Sequence, residues 1–543
     1  MRRESVSVAE AEWSPRGRDA PDGARAQFAR LGGYAVHAVA ALTVAFFATA
    51  LPVVASEVSK ALALAVCAVT ALLVANFAPK TIPMVIVVSV LFQNLFVAWV
   101  SPFIENTSDF NFVRGFNFLT IVVFFLYFWF TVLLTRERYS DAFMRYFWGS
   151  TIALLVVGAY FGYGLVKSPQ GAIIYLRNIA LPLMIFQICL TVAYAHRPNV
   201  TVPMIFLAVI VIGLGYFEFL LRDDWFRLTN SVSYWWLNST DMREAGGFFR
   251  VAQIHRQVMT GLEDGFRVTL FNTALLSGLD LTVMRLNGPN FHSISFAYAV
   301  SFLALFLFAC RRFVLFALLL PVLVFTSAKG ALVVLVFTMT MTLASTVVQA
   351  RLVLIGFTIL MLLYGAFVTV SGIRTQDYHV LGLIGGIKGF LSNPIGHGLG
   401  SGGNLATNFG ELDWEAAQHS GETEIAVESA VGVILFQMGI AAFVVLGFYY
   451  WVGFTVWRLF DRLRHPQYCV AGYGLFAILV NGFFQEEALF SPLSLGLMVL
   501  FAGLAIGSAA RSGVLLPDGR DVRGAAAEGG GTRHGDRERG GGR

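Results

Sequence analysis

The chain has 543 residues, of which 57% are apolar and only 13% are charged. A soluble domain carries about 25% charged residues, so this sequence cannot coat a water-facing surface and is suited to the hydrocarbon of a bilayer. The net charge of +5 does not indicate nucleic-acid binding, because Lys and Arg lie in the tails and in short turns between apolar segments, as in cytoplasmic loops of membrane proteins.

The chain begins with a polar tail, residues 1–33, which has mixed charge and no signal-peptide pattern. Residues 34–221 then hold seven apolar segments, and a segment of about 20 apolar residues can cross a bilayer as a helix. We expect the first segment to remain as an anchor. The seven segments lie at 34–54, 60–78, 82–102, 115–135, 147–166, 172–195 and 201–221.

A first long polar segment, residues 222–291, interrupts this series. It contains aromatic clusters at 234–236 and 247–249, and apolar residues at helical spacing from Val251 to Leu281 predict short helices on the membrane surface. Four apolar segments follow within residues 292–372, at 292–310, 312–327, 330–350 and 352–372. The second and third of them are separated only by the turn Thr326–Gly330.

A second long polar segment covers residues 373–424, and residues 425–510 hold the last apolar segments, at 425–457, 468–485 and 490–510. The first of these is longer than a bilayer requires, so we expect it to tilt or to project. The tail 511–543 is rich in Gly, Arg and Asp, which predicts disorder. The sequence thus predicts an all-α polytopic membrane protein with about fourteen transmembrane helices and two long extracytoplasmic loops.

The positions of Lys and Arg predict the orientation, because basic residues concentrate in cytoplasmic loops. With the N-terminus inside, the inner loops hold most of them, including Arg136, Arg138 and Arg145. We therefore expect a multi-pass plasma-membrane protein with both termini cytoplasmic and with 222–291 and 373–424 outside. The short outer loops hold only Lys60, Arg114, Lys167 and Lys329.

The four cysteines have no zinc or disulfide spacing and are predicted to be small buried side chains. They are Cys67, Cys189, Cys310 and Cys469.

Two charged residues in predicted spans are candidates for function. Arg177 is the only formal charge well inside a span, and an ionisable residue there indicates a functional site unless it snorkels to the interface. Glu218 lies near the outer end of its span and is open to the same two interpretations.

The first long loop ends in Arg285, followed by a turn and the start of a helix. The free N–H groups at that helix start favour anions. An ordinary turn before a helix is the alternative.

The second loop contains Gly-x-Gly-x-x-Gly from Gly398 to Gly403. No strand precedes it and no βαβ unit surrounds it, so it is not a dinucleotide site. Glycines allow backbone to approach a ligand closely, although a flexible turn would have the same composition. Acidic residues and His419 follow, and the loop re-enters the membrane at Glu428-Ser429. A carboxylate there could also be a simple helix cap.

Four short motifs occur in a recognisable order. They are Arg285-Leu286-Asn287-Gly288-Pro289-Asn290, Thr326-Ser327-Ala328-Lys329-Gly330, Asn393-Pro394-Ile395-Gly396-His397-Gly398-Leu399-Gly400, and Glu428-Ser429 with Phe436-Gln437-Met438-Gly439-Ile440. Their order and spacing resemble the O-antigen polymerase and ligase superfamily of bacterial membrane proteins, over about Arg285 to Gly453. The second motif departs from the family pattern, because Lys329 replaces an Arg and the Ser is one place early.

This resemblance implies a membrane glycosyltransferase acting at the outer face of the plasma membrane in the synthesis of a surface polysaccharide. The donor would be a glycan on a polyprenyl pyrophosphate, the acceptor a glycan hydroxyl, and no cofactor or metal would be needed. A chain-length regulator protein is a candidate partner. Fixed cations would stabilise the departing pyrophosphate, and a carboxylate or His would orient or deprotonate the hydroxyl.

The resemblance assigns these roles to named residues. The substrate-binding candidates are Arg285, Lys329, Arg177, Asn290, His397, Gly398 and Gly400, and the catalytic candidates are Glu428 and His419. Family ligases typically carry a His-Asn pair where this chain has Glu428-Ser429, and the nearest histidine, His419, lies nine residues earlier. The pattern therefore favours the polymerase branch.

Three alternatives remain open from the sequence. One is a transporter or flippase of lipid-linked glycans, which is disfavoured because the spans are nearly free of charge and show no internal repeat. The others are a ligase-type transferase and a scaffold or receptor without catalysis.

Overall fold

The computed structural model describes residues 24–239, 266–270, 281–407 and 409–515. Within these residues, eleven helices are long and apolar enough to cross a membrane. The only sheet in the described ranges is a two-stranded antiparallel pair, β1 (Arg267–Thr269) with β2 (Thr282–Met284). The predicted class, a helical multi-pass membrane protein, is confirmed.

The helices that precede β1 mostly keep close to the apolar segments of the sequence, and the last two of them lie at the start of the first long polar segment. They are α1 (Ala24–Ala55), α2 (Lys60–Phe77), α3 (Ile82–Val100), α4 (Thr107–Arg114), α5 (Phe116–Leu134), α6 (Asp141–Lys167), α7 (Pro169–His196), α8 (Thr201–Leu220), α9 (Arg222–Thr229) and α10 (Ser231–Asn238). Local capping fixes several starts. For example, the Ser140 hydroxyl accepts a hydrogen bond from the Phe143 N–H at the start of α6.

The remaining helices follow the first long polar segment, and the last begins with a π-helical turn, Pro492–Gly496. They are α11 (Ser293–Ala309), α12 (Phe313–Phe325), α13 (Lys329–Val347), α14 (Ala350–Thr375), α15 (Tyr378–Ser392), α16 (Trp414–Ser420), α17 (Ala430–Met438), α18 (Ala442–Leu463), α19 (Pro466–Asn481), α20 (Glu486–Phe490) and α21 (Leu497–Arg511).

The centre of the bundle is the contact between α7 and α21. Gly503 and Gly507 lie one turn apart on α21, and a Cβ on either would overlap backbone oxygens of α7, at Phe186 and Leu190. Small residues at this spacing let two membrane helices approach closely. The apolar window of Pro492–Arg511 is 94% buried, whereas that of α14 is 17% buried. Helix α21 is therefore central, and α14 faces the lipid.

Three expectations from the sequence need correction. The segment 425–457 is not one long helix, because α17 ends at Met438 and a 3-10 turn, Gly439–Ala441, separates it from α18. The loop 373–424 contains the fifteen-residue helix α15. Helices predicted for Val251–Leu281 are wrong where the structure describes this stretch, since Arg267–Thr269 is a strand.

Other expectations remain as predictions. The aromatic cluster 247–249, the beginning of the first tail and most of the last tail lie outside the described residues. Three predicted crossings correspond to α11, α12 and α19, which have 17, 13 and 16 residues. Fourteen crossings, and the cytoplasmic position of both termini, therefore stay predictions. Of the cysteines, Cys67, Cys189 and Cys469 are buried as expected, and Cys310 is partly buried.

The orientation can be tested with single cysteines in a cysteine-free background. Ser420, at the end of α16, and Ser512, after α21, are both exposed. We expect Ser420→Cys to react with a membrane-impermeant maleimide in intact cells, and Ser512→Cys to react only after permeabilisation, because basic loops remain in the cytoplasm. The reverse labelling pattern would invert the predicted topology.

Candidate functional site

The turn that carries Arg285 is held by a buried carboxylate. Glu218, on α8, accepts hydrogen bonds from the backbone N–H groups of Asn287 (2.8 Å) and Gly288 (2.7 Å). Arg285 then donates from Nε to the backbone oxygen of Thr326 (3.0 Å). Two motifs that lie about forty residues apart in the sequence are thus joined, and the plane of the Arg285 guanidinium is fixed.

The opposite side of this turn packs on α3 and α10. The Asn94 side chain donates to the backbone oxygen of Asn290 (2.7 Å) and to its side-chain oxygen (3.2 Å). The ring of Phe291 stacks on Tyr234 with centroids 4.8 Å apart. Asn290, predicted to bind substrate, therefore has a structural contact that positions the turn.

Removing the Glu218 carboxylate is expected to loosen the Arg285 turn. Glu218→Ala leaves two buried N–H groups without acceptors, and each such group costs about 1–3 kcal/mol. We expect a lower thermal unfolding temperature of the detergent-solubilised protein, with a smaller loss for Glu218→Gln, which keeps one acceptor oxygen. An unchanged unfolding temperature in Glu218→Ala would show that the turn is held by its other contacts.

Lys329 begins helix α13, next to the Arg285 contact. Its side chain is exposed and interacts electrostatically with Asp377, the N-cap of α15. The next residue is a glycine, Gly330, and a Cβ at this position would overlap the side chain of Gln485. Gln485 in turn accepts a hydrogen bond from the Tyr298 hydroxyl (2.6 Å). The structure thus places Lys329 between the Arg285 turn, α15 and the polar segment that follows α19.

Three carboxylates form the acidic cluster, defined as Glu428, Glu486 and Glu487. The buried Glu486 accepts hydrogen bonds from the Tyr175 hydroxyl (2.6 Å) and from the Asn404 N–H (2.9 Å). The side-chain oxygen of Asn404 accepts from the N–H of Glu428 (2.9 Å). Asn404 therefore bridges two carboxylates that lie on separate segments of the chain.

Glu428 pairs with a histidine that the sequence did not single out. Its Oε2 lies 3.4 Å from Nδ1 of His379, and both side chains are partly exposed. Glu428 has a positive φ of 59°, which is uncommon for a residue with a side chain. The N-cap Asp377 accepts from the backbone N–H of His379 (3.0 Å), and Nδ1 of His379 also lies 3.4 Å from the Glu428 backbone oxygen. The start of α15 thus places His379 beside Glu428.

Glu487 connects the acidic cluster with Arg285. Burial is the largest cause that raises the pKa of Glu487; the nearby carboxylate of Glu428 raises it further, and His379 and Arg285 lower it. Burial likewise raises the pKa of Glu486 to about 8, although the hydrogen bonds from Tyr175 and Asn404 oppose the shift. Glu428, Glu487, His379 and Arg285 therefore form one electrostatically connected group.

The raised pKa of Glu486 predicts a pH-dependent stability. The unfolded chain ionises this carboxyl near pH 4.5 and the folded protein near pH 8, so the folded protein binds more protons between these values. Its stability should then fall as the pH rises from about 4.5 to about 8. We expect the unfolding temperature of Glu486→Gln to depend less on pH over this range. Parallel curves for the two proteins would contradict the assignment.

Arg285 also belongs to an arginine cluster, defined as Arg114, Arg177 and Arg285. Arg177, on α7, interacts electrostatically with Arg114 at the end of α4. Arg114 donates to Asn238 (2.9 Å) and lies over the ring of Phe110, 5.1 Å from its centroid. Among the described residues Arg177 has neither a hydrogen bond nor a salt bridge. Its charge is therefore available to a ligand.

His292 connects the arginines. Its Nδ1 accepts from the Ser295 N–H (3.2 Å) and so caps helix α11. Burial, with the positive charges of Arg285 and Arg114, lowers its pKa to about 4. A neutral imidazole whose Nδ1 accepts carries its proton on Nε2. His292 therefore adds a hydrogen-bond donor, not a charge, beside the arginines.

Other predicted site residues lie in structural contacts. The ring of His397 stacks on Phe436 with centroids 4.1 Å apart, and its Nδ1 is 3.0 Å from the Phe436 backbone oxygen. Gly398 and Gly400 have φ of 95° and 82° and pack against the backbone of α6 and α7, respectively. His419 is exposed and, among the described residues, has no hydrogen bond or ion pair with Glu428. Its role as a base stays a prediction without geometric support.

The residues that sequence reasoning missed are His379, Arg114, His292, Glu486 and Glu487. One local signal could have found the last two, because Gln485-Glu486-Glu487 is a run of polar residues between two apolar segments. Within the described residues, no group of three or more His, Cys, Asp or Glu side chains is arranged to hold a metal ion.

These features define a polytopic helical membrane protein with a charged site at the ends of several helices. No protein-family model, curated protein or solved structure matches the chain.

Proposed function

We propose that the protein is a metal-independent glycosyltransferase that polymerises oligosaccharide units carried on polyprenyl pyrophosphate. The observation that carries this proposal is the presence, in one charged site, of a guanidinium held by the Thr326 backbone oxygen and of a histidine 3.4 Å from a carboxylate, with the charges of Arg285, His379 and Glu428 all acting on Glu487. A cation for a phosphate leaving group and a base for a hydroxyl are the two groups that such a transfer needs.

The pyrophosphate of the lipid-linked donor would lie against the basic side chains. Arg285 presents a guanidinium of fixed plane, and a planar fork suits two phosphate oxygens. Lys329 follows the segment that Arg285 contacts. Arg114 adds positive charge near His292, and Arg177 adds positive charge near Arg114. As the bond between the anomeric carbon and the pyrophosphate oxygen breaks, negative charge grows on the leaving oxygen, and the fixed cations stabilise it.

The acceptor would lie against the His379–Glu428 pair. The acceptor oxygen attacks the anomeric carbon, and its proton passes to His379 or Glu428. A carboxylate beside a histidine orients the ring and stabilises the imidazolium that forms. Because Nδ1 of His379 faces Glu428, Nε2 is the nitrogen open to the hydroxyl.

A flippase of lipid-linked glycans is the second candidate. Two observations favour it: Arg177 lies within the membrane helix α7, and the helix formed by α17 and α18 is broken at Gly439. Charged residues and discontinuous helices in the membrane are features of transporters.

One genetic experiment separates the two functions. If the protein polymerises, deletion of its gene leaves single lipid-linked units at the outer face of the membrane, where an added impermeant glycosidase removes their sugars. If it is a flippase, the units accumulate inside and are protected from the enzyme. Long polymers in the deletion strain would contradict both functions.

A further inference from the structure

An apolar groove with a volume of about 500 Å³ runs along the lipid-facing helix α14. One wall is α14, from Leu354 to Thr369, and the other is α19 with the segment after it, through Phe476 and Phe484. At a rise of about 1.5 Å per residue, the α14 wall is about 22 Å long. This covers about three-quarters of the ~30 Å hydrocarbon thickness of a bilayer.

The groove opens towards the lipid. Leu362 and Phe483, on its walls, are 70% and 42% exposed, and α14 is the least buried of the candidate spans. No described helix of the chain closes it. In a bilayer an open apolar groove of this kind is filled by the chain of a lipid.

One end of the groove leads into the charged site. Phe484, which lines the groove, is followed directly by Gln485, Glu486 and Glu487. Leu383, on the other side, lies one helical turn after His379 and packs with Phe484 in a small buried cluster of its own. A lipid chain in the groove therefore places its head group beside His379 and Glu487, near Lys329 at the start of α13.

We propose that this groove binds the isoprenoid chain of the lipid-linked donor. The identity of the head group rests on the proposed function, whereas the chain site rests on the groove. A structural phospholipid would need no histidine, carboxylate and lysine at the end of its chain. A reactive lipid needs them there, because the bond that is broken lies where chain and sugar meet.

Two glycines on α14 allow a matched test. Gly365 lines the groove and Gly356 does not, and a Cβ at either position would meet no atom within 4 Å. Gly365→Leu should therefore fill the groove without disturbing a packed contact, and Gly356→Leu adds the same side chain to the same helix outside it.

The protein is reconstituted in nanodiscs of phosphatidylethanolamine and phosphatidylglycerol, with a polyprenyl pyrophosphate carrying a photoreactive group in its chain. We expect labelling of peptides from α14 and α19, competition by unlabelled polyprenyl pyrophosphate, and about tenfold weaker labelling in Gly365→Leu than in wild type or Gly356→Leu. Added unlabelled phospholipid should not compete.

Two results would overturn the chain site. One is equal labelling of the Gly365→Leu and Gly356→Leu proteins. The other is displacement of the probe by ordinary phospholipid, which would make the groove a site for bulk lipid only. Neither result depends on catalysis, so the chain site can fail while transfer activity persists. Specific labelling of a wild-type protein without transferase activity would instead retain the chain site and refute the proposed function.

Discussion

Arg285→Ala is expected to abolish polymer formation while the protein still inserts and accumulates. The loss should be on the order of 10²–10³ in rate or more, the usual effect of removing one fixed donor to a developing negative charge. Arg285→Lys should restore only part of the activity, because lysine cannot form the hydrogen bond from Nε to the Thr326 backbone oxygen and has no forked guanidinium group. The measurement is the length distribution of the surface polysaccharide in a deletion strain that carries each variant.

A matched control uses another arginine of the same polar region. Arg227, on α9, has a side chain that is 80% exposed and forms a salt bridge with Asp224 on the same helix. Such a surface pair contributes little to stability, and Arg227→Ala should leave polymer length unchanged. Full activity of Arg285→Ala would remove this residue from the site, and equal loss in both variants would indicate a general effect of charge.

Substitution of the His379–Glu428 pair is expected to have an effect of similar size. General base catalysis typically contributes 10²–10⁴-fold, so His379→Ala should lower the transfer rate by about this factor. Glu428→Gln keeps the size of the side chain and removes its charge, and it should also slow chain growth because the imidazolium that forms on His379 loses the carboxylate that stabilises it. The measurement is the initial rate of chain growth in membranes between pH 5.5 and 8.5.

His419→Ala is the control for the pair. This histidine is exposed near the end of α16 and, within the described ranges, makes no hydrogen bond or ion pair with Glu428. If His419→Ala is inactive and His379→Ala is active, the base lies in the loop and the ligase-type transferase regains support. If Glu428→Gln builds long chains at the normal rate, Glu428 has a structural role only.

Hydropathy was enough to predict the helices, because the hydrocarbon requirement acts on each segment separately. The resemblance implied that Arg285 and Lys329 bind one substrate, and the structure joins the Arg285 turn to the segment before Lys329. The position of Glu487 was not predictable in this way. The charges of His379 and Arg285 act on it because separate helices pack together, and no local pattern encodes that packing.

The glycine-rich loop illustrates why some of the predicted site residues remain without structural support. Gly398 and Gly400 have the backbone freedom that a ligand-binding loop requires, and their sequence pattern suggested substrate. The structure uses this freedom to pack the loop against Gly164 and Gly171, on α6 and α7. Glycine is needed both where backbone approaches a ligand closely and where backbone approaches a helix closely. Sequence alone therefore could not separate these two uses.

The most direct test of the proposed function is transfer by the purified protein. Wild-type and Arg285→Ala proteins are reconstituted in liposomes with a lipid-linked repeat unit, and glycan length and free polyprenyl pyrophosphate are measured together. Polymerisation predicts one polyprenyl pyrophosphate released for each unit added, with both products absent in Arg285→Ala. Movement of the repeat unit across the bilayer without a new glycosidic bond or released pyrophosphate would contradict it.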